Sequence, residues 1–487
     1  MEQNLLFISS LLLLSVGASK LSSRLGFPAL LAFLVLGVSA AAFGANFHDV
    51  ALTQTIAVLA LCFILFSGGM DTDIKLIRPI FKSGILLASF GVVVATALVG
   101  YFAINVLHFA KIPALLLGAT IASTDVAAVF TVLRSRQIGL QQNLRSLLEF
   151  ESAVNDPTTV ILSVGLLEIY MHPSSASLLS LFPLFVQQVA VGVLLGWLGG
   201  LAAVFYINRL RLEFDGLYPV LSTSIVLLIY ALTQRLGGSG FLAVYVAGIC
   251  LGNKNILRKK TLVLFHDGLA WLMQVAMFLA MGLLISFTEL KAVALSGFLL
   301  SAFLIFVARP LSVHLCLIPL RFRYREVLFI SWAGLRGAVP IILATYPLLA
   351  GIPEAKLIFN LVFFVVISSI LLQGSSLAFV ARLLKVDAPL QAKLRFPIEY
   401  NPSSNLKNEL SELTVQPGSA IVDKTLLELE LPQSSLVVLI RREEKVFVPR
   451  GSTRIEAKDV LLLMADQEAL KQISSLSTCS SSAGTLE

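Results

Sequence analysis

The chain has 487 residues, of which 57% are hydrophobic and only 13% charged, and it carries a net charge of +7. Soluble domains carry about 25% charged residues, so this composition excludes a soluble enzyme or a nucleic-acid-binding domain and defines an integral membrane protein. The four Cys include no CxxC pair and no Cys/His cluster, which argues against a disulfide framework and against zinc.

A helix needs about 20 predominantly apolar residues to cross the hydrocarbon core. That window predicts thirteen spans, at 3–19, 27–44, 51–69, 83–107, 113–133, 146–169, 177–206, 217–234, 238–252, 262–287, 292–318, 327–350 and 357–381. The first has no basic stretch before it and no convincing small-residue cleavage site, and it reads as a retained span, not a signal peptide. Every second connection, counted from the end of the first span, is basic: Lys20 and Arg24 open this set, and Arg382, Lys385, Lys393 and Arg395 close it. The opposite connections hold Lys111, Arg235, Lys291 and Lys356. Positive-inside bias therefore predicts an odd number of spans in the cell (inner) membrane, with the N-terminus outside and the C-terminus cytoplasmic.

These spans make residues 1–390 a transmembrane domain. From about 397 the chain turns polar, and the strand-length runs SSLVVLIRR, KVFVPRG and DVLLLMA follow, separated by the turn signals QPGS and PRGST. TLLELEL and QEALKQISSL read as short helices. Residues 397–475 are thus expected to be a small cytoplasmic α+β domain, and 476–487 a flexible tail.

Two spans are interrupted. The fifth contains ATIASTDVAAVF, with Ser123, Thr124 and Asp125 side by side, and the twelfth contains SWAGLRGAVPII, with two glycines, Arg336 and Pro340. Non-helical backbone is tolerated at membrane depth where it lines a cavity or meets protein. These spans lie seven apart and so run in opposite directions, as inverted repeats of spans 1–6 and 8–13 require. Discontinuous helices at matching places in two inverted halves point to a transporter's midplane site. Asp125 can neutralise positive N-terminal half-helix ends, and Arg336 suits carbonyl-rich ends or a carboxylate.

The sixth span carries EFESAVNDPTTV, an acidic run where a charge costs on the order of 2.5–3.5 kcal/mol even on a mild scale. Glu151, Ser152, Asn155 and Asp156 fall on adjacent helix faces and offer oxygen ligands to a small desolvated cation. Pro157 frees a carbonyl in the turn before it. Charge counting suggests Glu151 paired with Arg336 as a structural ion pair, with Asp156 left as the titratable carboxylate. Glu149, one turn from Arg145, reads as interfacial. Burial disfavours the charged form of a lone carboxylate, so a proton and a monovalent cation compete at Asp156, and the simplest result is electroneutral exchange.

Together ESAVNDPTTV, STDVAAVF, GSGFLAVYVAGICLGN and SWAGLRGAVPI resemble the NhaP branch of the cation:proton antiporter superfamily, and the segment from QPGSAIVDK to DVLLLMA resembles the TrkA-C (RCK C-terminal) module. The combination is similar to the potassium/proton antiporter members of that branch. The resemblance implies that Asp156 binds ion and proton with Asn155 as its partner, and that Glu151 and Ser152 are neighbouring ligands. It further implies that Thr124 lends its main-chain carbonyl, that Asp125 is the acid of the crossing, and that Arg336 pairs with Glu151. Arg309, in FVARPLSV, resembles a further family position. A homodimer is implied, with a core bundle moving against a dimerisation bundle. Pro157 and Val126 depart from the pattern and bear on cation choice. No cofactor is expected, a nucleotide-type ligand on residues 397–475 being the regulatory candidate.

The expected function is exchange of intracellular K+ for external H+ by alternating access, serving cation homeostasis and pH regulation and not catalysis. The alternative is Na+/H+ exchange by the same mechanism. A ligand-regulated cation channel is the next reading, but no filter-like loop such as TVGYG is present. An intramembrane aspartyl protease would leave the broken twelfth span without a purpose. Among the histidines, His266 beside Asp267 is the candidate pH sensor, and the others read as interfacial.

Overall fold

A computed structural model describes residues 2–25, 28–42, 49–173, 178–210, 212–285, 287–389, 409–416, 419, 421–429, 431–432, 434–442, 445–466, 469–470 and 472–473. The chain divides into two compact units, 1–391 and 392–487. The expected tail, and the ends of the connection between the units, lie outside the described residues.

With a short helix (Phe287–Ala292) between the tenth and the eleventh, thirteen spans, two of them broken into two helices each, build the first unit among the described residues. They are α1 (Glu2–Leu25), α2 (Ala29–Ala42), α3 (Val50–Asp71), α4 (Ile74–Val106), α5a and α5b (Lys111–Ile121 and Val126–Ser135) and α6 (Gln142–Met171). Then come α7 (Leu178–Leu210), α8 (Leu217–Arg235), α9 (Gly240–Gly252), α10 (Lys259–Leu283), α11 (Ala294–Leu320), α12a and α12b (Tyr324–Trp332 and Ala338–Leu349) and α13 (Ala355–Leu383). Each predicted window falls on one of them. The window method starts α4 late, because it gave Lys75, Arg78 and Lys82 to a loop where the structure continues the helix through a tight turn at Arg78–Ile80.

The two halves repeat one another in their packing. Helix α2 crosses α10 where Gly37 meets Gly282, and α9 crosses α3 where Gly248 meets Gly69. At each crossing a methyl group would collide with the facing backbone, and such small-residue contacts are how helices approach closely without a hydrophobic driving force between them. Exchanging spans seven apart, α2 for α9 and α10 for α3, converts the first pair into the second, with equivalent glycines about 212 residues apart, as expected for inverted halves. Wide π-type turns fall at Leu87–Gly91 in α4 and Leu304–Ala308 in α11, also seven spans apart. One buried cluster gathers α3, α7, α8, α9 and α10 around Phe66, Tyr218, Ala243 and Leu262, while a larger one takes in α4, α5, α6, α11, α12 and α13.

Strand β1 (Ile138–Leu140), between α5 and α6, pairs antiparallel with β2 (Asp387–Pro389), just after α13. The pairing puts those two connections on one side of the bundle, the parity that thirteen spans require. Cys62, Cys250 and Cys316 are free thiols.

In the second unit β3 (Glu409–Thr414), β6 (Val460–Ala465), β4 (Leu436–Arg442) and β5 (Lys445–Phe447) form an antiparallel sheet in that order. Strands β4 to β6 are the three predicted runs. Strand β3 lies in the stretch read only as polar, because four of its six residues are polar or charged and its pairing with β6 is remote in sequence. TLLELEL is not a helix: Thr425 bridges to Arg454, and the following residues turn back, with Glu428 accepting from the Thr425 amide at 2.8 Å.

Candidate functional site

Helix α5 stops after Ile121 and restarts at Val126, and helix α12 stops after Trp332 and restarts at Ala338. The two breaks cross, and the Asp125 amide donates to the Leu335 carbonyl at 2.7 Å. Four half-helix ends therefore meet in one place, and each needs a partner for its orphan backbone groups.

The C-terminal ends are met by donors. One guanidinium nitrogen of Arg336, a fully buried side chain, donates to the carbonyls of Ala122 (2.6 Å) and Ser123 (2.7 Å) at the end of α5a. At the end of α12a, Gln373 donates to the Trp332 carbonyl at 2.9 Å, and Arg309 lies at 3.4 Å from that of Ile330. The N-terminal ends are met by one carboxylate. Asp125 accepts from the Ala128 amide at 3.1 Å to cap α5b, and it also lies against Gly337 at the start of α12b, where a methyl group would collide with it. Cations at C-termini and an anion at N-termini are the signs the helix dipoles favour.

Helix α6 runs unbroken through Pro157 beside these breaks. The Ser152 hydroxyl donates to the Thr124 carbonyl (2.8 Å) and accepts from the Val126 amide (3.2 Å), so it spans the gap in α5. Asn155 donates to the Thr124 hydroxyl at 2.6 Å, and its buried side-chain carbonyl has no hydrogen-bond partner among the described residues. Asp156 accepts from the Ser123 hydroxyl and is 8% exposed. The structure thus brings together Asp156, Asn155, Ser152, Thr124 and Asp125, as the sequence predicts, and adds Ser123.

The expected Glu151–Arg336 pair is not formed. Glu151 instead pairs with Arg309 of α11 at 2.7 Å, beside the end of α12a, both side chains being almost fully buried. The reason is helical geometry: five residues separate Glu151 from Asp156, about 140° around the axis, so the two cannot both face α5. Arg336 takes the carbonyl ends, the other role its charge suits. Sequence reading also passed over Ser369 and Gln373 of α13. Ser369 accepts from the Arg336 amide at 3.0 Å and donates to Gln373 at 2.6 Å, so the pair braces the second break. A Ser and a Gln four apart, on one face of the thirteenth span, were the available signal. His266 is fully buried, 2.8 Å from the Ser222 hydroxyl and edge-on to Phe66, so it is a core residue of the α3–α10 cluster.

The buried charges of this region can be counted. Arg309 cancels Glu151. Arg336 then stands against two carboxylates, Asp125 and Asp156, neither of which forms an ion pair with a Lys, Arg or His among the described residues, so one negative charge is in excess. Asp125 is committed to capping α5b, which leaves Asp156 as the carboxylate free to exchange its charge. One negative charge can be satisfied by one proton or one monovalent cation, with the Asn155 carbonyl oxygen and neighbouring hydroxyls to help desolvate the latter.

Two inverted halves with charged helix breaks crossing near mid-span define a secondary transporter of the inverted-repeat class. Residues 9–383 match the family model described as sodium/hydrogen exchanger, transmembrane, and residues 410–477 match the TrkA-C domain. The chain belongs to the sodium/hydrogen exchanger family. It is 38% identical over 469 residues to the K(+)/H(+) antiporter NhaP2 of Shewanella baltica (strain OS223), spanning 95% of this chain and 81% of that one. To the K(+)/H(+) antiporter NhaP of Alkalimonas amylolytica it is 36% identical over 489 residues, spanning 99% and 84%. Its fold is similar to the sodium proton antiporter MjNhaP1 from Methanocaldococcus jannaschii at pH 8, with a TM-score of 0.69 and 24% identity over 79% of this chain and 99% of that one.

Proposed function

We infer that this protein is a K+/H+ antiporter of the cell membrane, carrying cytoplasmic K+ outward against H+ entering. The observation that carries the reading is the unpaired Asp156 in an otherwise balanced set of buried charges. A proton delivered to Asp156 from one side is released on the other when a cation displaces it, and alternating access moves the site between sides. Because one charge is exchanged for one, the cycle moves no net charge. Ser123 positions the carboxylate and Asn155 offers its side-chain carbonyl beside it, while Ser152, Thr124 and Asp125 hold the broken helix, and Arg336 and the Glu151–Arg309 pair hold the frame. K+ is favoured by the names of the two relatives above and by the TrkA-C module; Na+ is the second reading, from the name of the MjNhaP1 neighbour.

The basic connections are assigned to the cytoplasm, so the N-terminus lies outside and the TrkA-C module inside, where it regulates the exchange and is the candidate site for a nucleotide-type ligand. A homodimer fits the same reading. The test is dye-monitored proton flux in proteoliposomes, with KCl or NaCl added and a potential-sensitive control. A response to K+ without voltage dependence supports the reading. A response to Na+ alone keeps the mechanism and changes the substrate, and uncoupled cation flux overturns the antiport.

A further inference from the structure

On α6, between Leu144 and Ile161, the partly exposed residues are Arg145, Glu149, Ala153 and Val154; from Asn155 to Ile161 every residue is buried. The neighbouring face of α5b is likewise open, with Ala127 exposed and Val126, Phe130 and Thr131 partly so, whereas α5a is buried from Leu116 to Ile121. The accessible residues of α5b and α6 therefore lie between the α5–α6 connection and the break, and on α6 they end at Val154, two residues short of the buried Asp156. Glu149 stands among them two turns before Asp156, about 10 Å away along the helix axis.

Its carboxylate is held by Arg145 at 2.9 Å, both side chains being 39% exposed, and the Arg145 guanidinium lies over the Phe130 ring of α5b, 5.4 Å from its centre. Glu149 thus stands on α6 beside α5b, on the side of Asp156 that leads to the α5–α6 connection. An i,i+4 pair at a helix surface is usually no more than a solvated contact, and its weak hold at this exposure is what lets Arg145 leave when another cation arrives. With Phe130 beside it, the guanidinium has a second place to rest.

We propose that Glu149 is a capture site for the transported cation ahead of Asp156, with Arg145 as a tethered competitor that occupies the carboxylate when no cation is present. A negative charge in a cleft with low-dielectric walls concentrates cations locally, and the captured ion then passes along this surface to displace the proton from Asp156. The proposal rests on the antiport reading, and it places Glu149 outside the exchange step itself.

The test is proton flux in right-side-out and everted vesicles, with K+ titrated on each face in turn for the wild type, Glu149→Gln and Arg145→Gln. On the face of the basic connections, Glu149→Gln should raise the half-saturating K+ concentration about three- to ten-fold, moving KM more than the maximal rate. Arg145→Gln should lower it. On the opposite face both variants should match the wild type. Unchanged half-saturation in Arg145→Gln, or a shift of the two variants in the same direction, overturns the proposal, because a merely structural pair loses the same contact from either end. Size-exclusion profiles check folding, and if Glu149→Gln fails to fold, the sign of the Arg145→Gln shift alone decides. A wild type that moves no protons on addition of either K+ or Na+ would overturn the antiport reading; an active wild type with unmoved variants would discard the capture site alone.

Discussion

Glu151 and Arg309 form an ion pair at 2.7 Å, with both side chains almost fully buried, and it ties α6 to α11. Removing one partner of a buried pair strands the other charge and costs about 3–5 kcal/mol, whereas replacing both costs far less. Arg309→Met and Glu151→Gln should therefore each lower thermal stability in detergent, and the double variant should recover much of the loss. Arg336→Met combined with Glu151→Gln should show clearly weaker coupling than the Arg309 combination, because no direct contact joins that pair and only charge reaches across. Strong coupling of Glu151 to Arg336 would overturn this assignment.

Asp156→Asn removes the titratable charge at nearly constant volume and keeps an oxygen to accept from the Ser123 hydroxyl. K+-driven proton movement should disappear while the size-exclusion profile stays that of the wild type. Ser123→Ala leaves the carboxylate but deletes its donor; hydrogen bonds to charged groups are worth about 1.5–3 kcal/mol, so transport should fall by at least tenfold. Continued exchange by Asp156→Asn would move the coupling to another group, with Asp125 the first to test.

The thirteen spans, the two breaks and the inverted halves were legible in the sequence, because each rests on local composition: apolar length, Gly/Pro interruptions and the alternation of basic connections. The residues facing the fifth span were legible too, since Ser152, Asn155 and Asp156 share one side of a helix whose periodicity is known in advance. The partner of Glu151 was not. Two buried arginines competed for it, and the choice depends on how α6 is rotated against α11 and α12, which is a property of packing among three elements remote in sequence. Ser369 and Gln373 were missed for a related reason: in a membrane helix a Ser and a Gln read as ordinary packing residues until the broken helix they brace is placed beside them. Strand β3 was hidden because its partner β6 lies about fifty residues further on, a kind of long-range pairing on which local patterns are silent.

Gly337 offers a test of the crossing itself. A methyl group there would occupy the space of the Asp125 carboxylate, whereas one on Gly68 would meet nothing within 4 Å. Gly337→Ala should displace Asp125 from the two helix N-termini and abolish transport, and overpacking of this kind typically costs about 1–3 kcal/mol. Gly68→Ala should leave both transport and stability unchanged, or raise stability slightly through the better helix propensity of Ala. Wild-type transport in Gly337→Ala would show that the carboxylate is not needed at α12b.

Glu289, on the short helix Phe287–Ala292 between α10 and α11, meets Lys356 at the start of α13 at 2.6 Å, with Asn360 at 3.3 Å. The hydrogen bond from Lys356 holds this carboxyl below its ordinary range, with Asn360 and the lysine charge adding to the effect against slight burial. A group whose folded value is depressed stabilises the fold above its unfolded value, about 4.3 for Glu, and loses that contribution as pH falls through the depressed one. The pair is partly exposed, so its worth is under about 1 kcal/mol. Lys356→Met should consequently unfold at a slightly lower temperature than the wild type at pH 7, with the gap closing towards pH 3. A gap that stays constant across that range would assign the difference to the packing of the lysine stem and not to its charge.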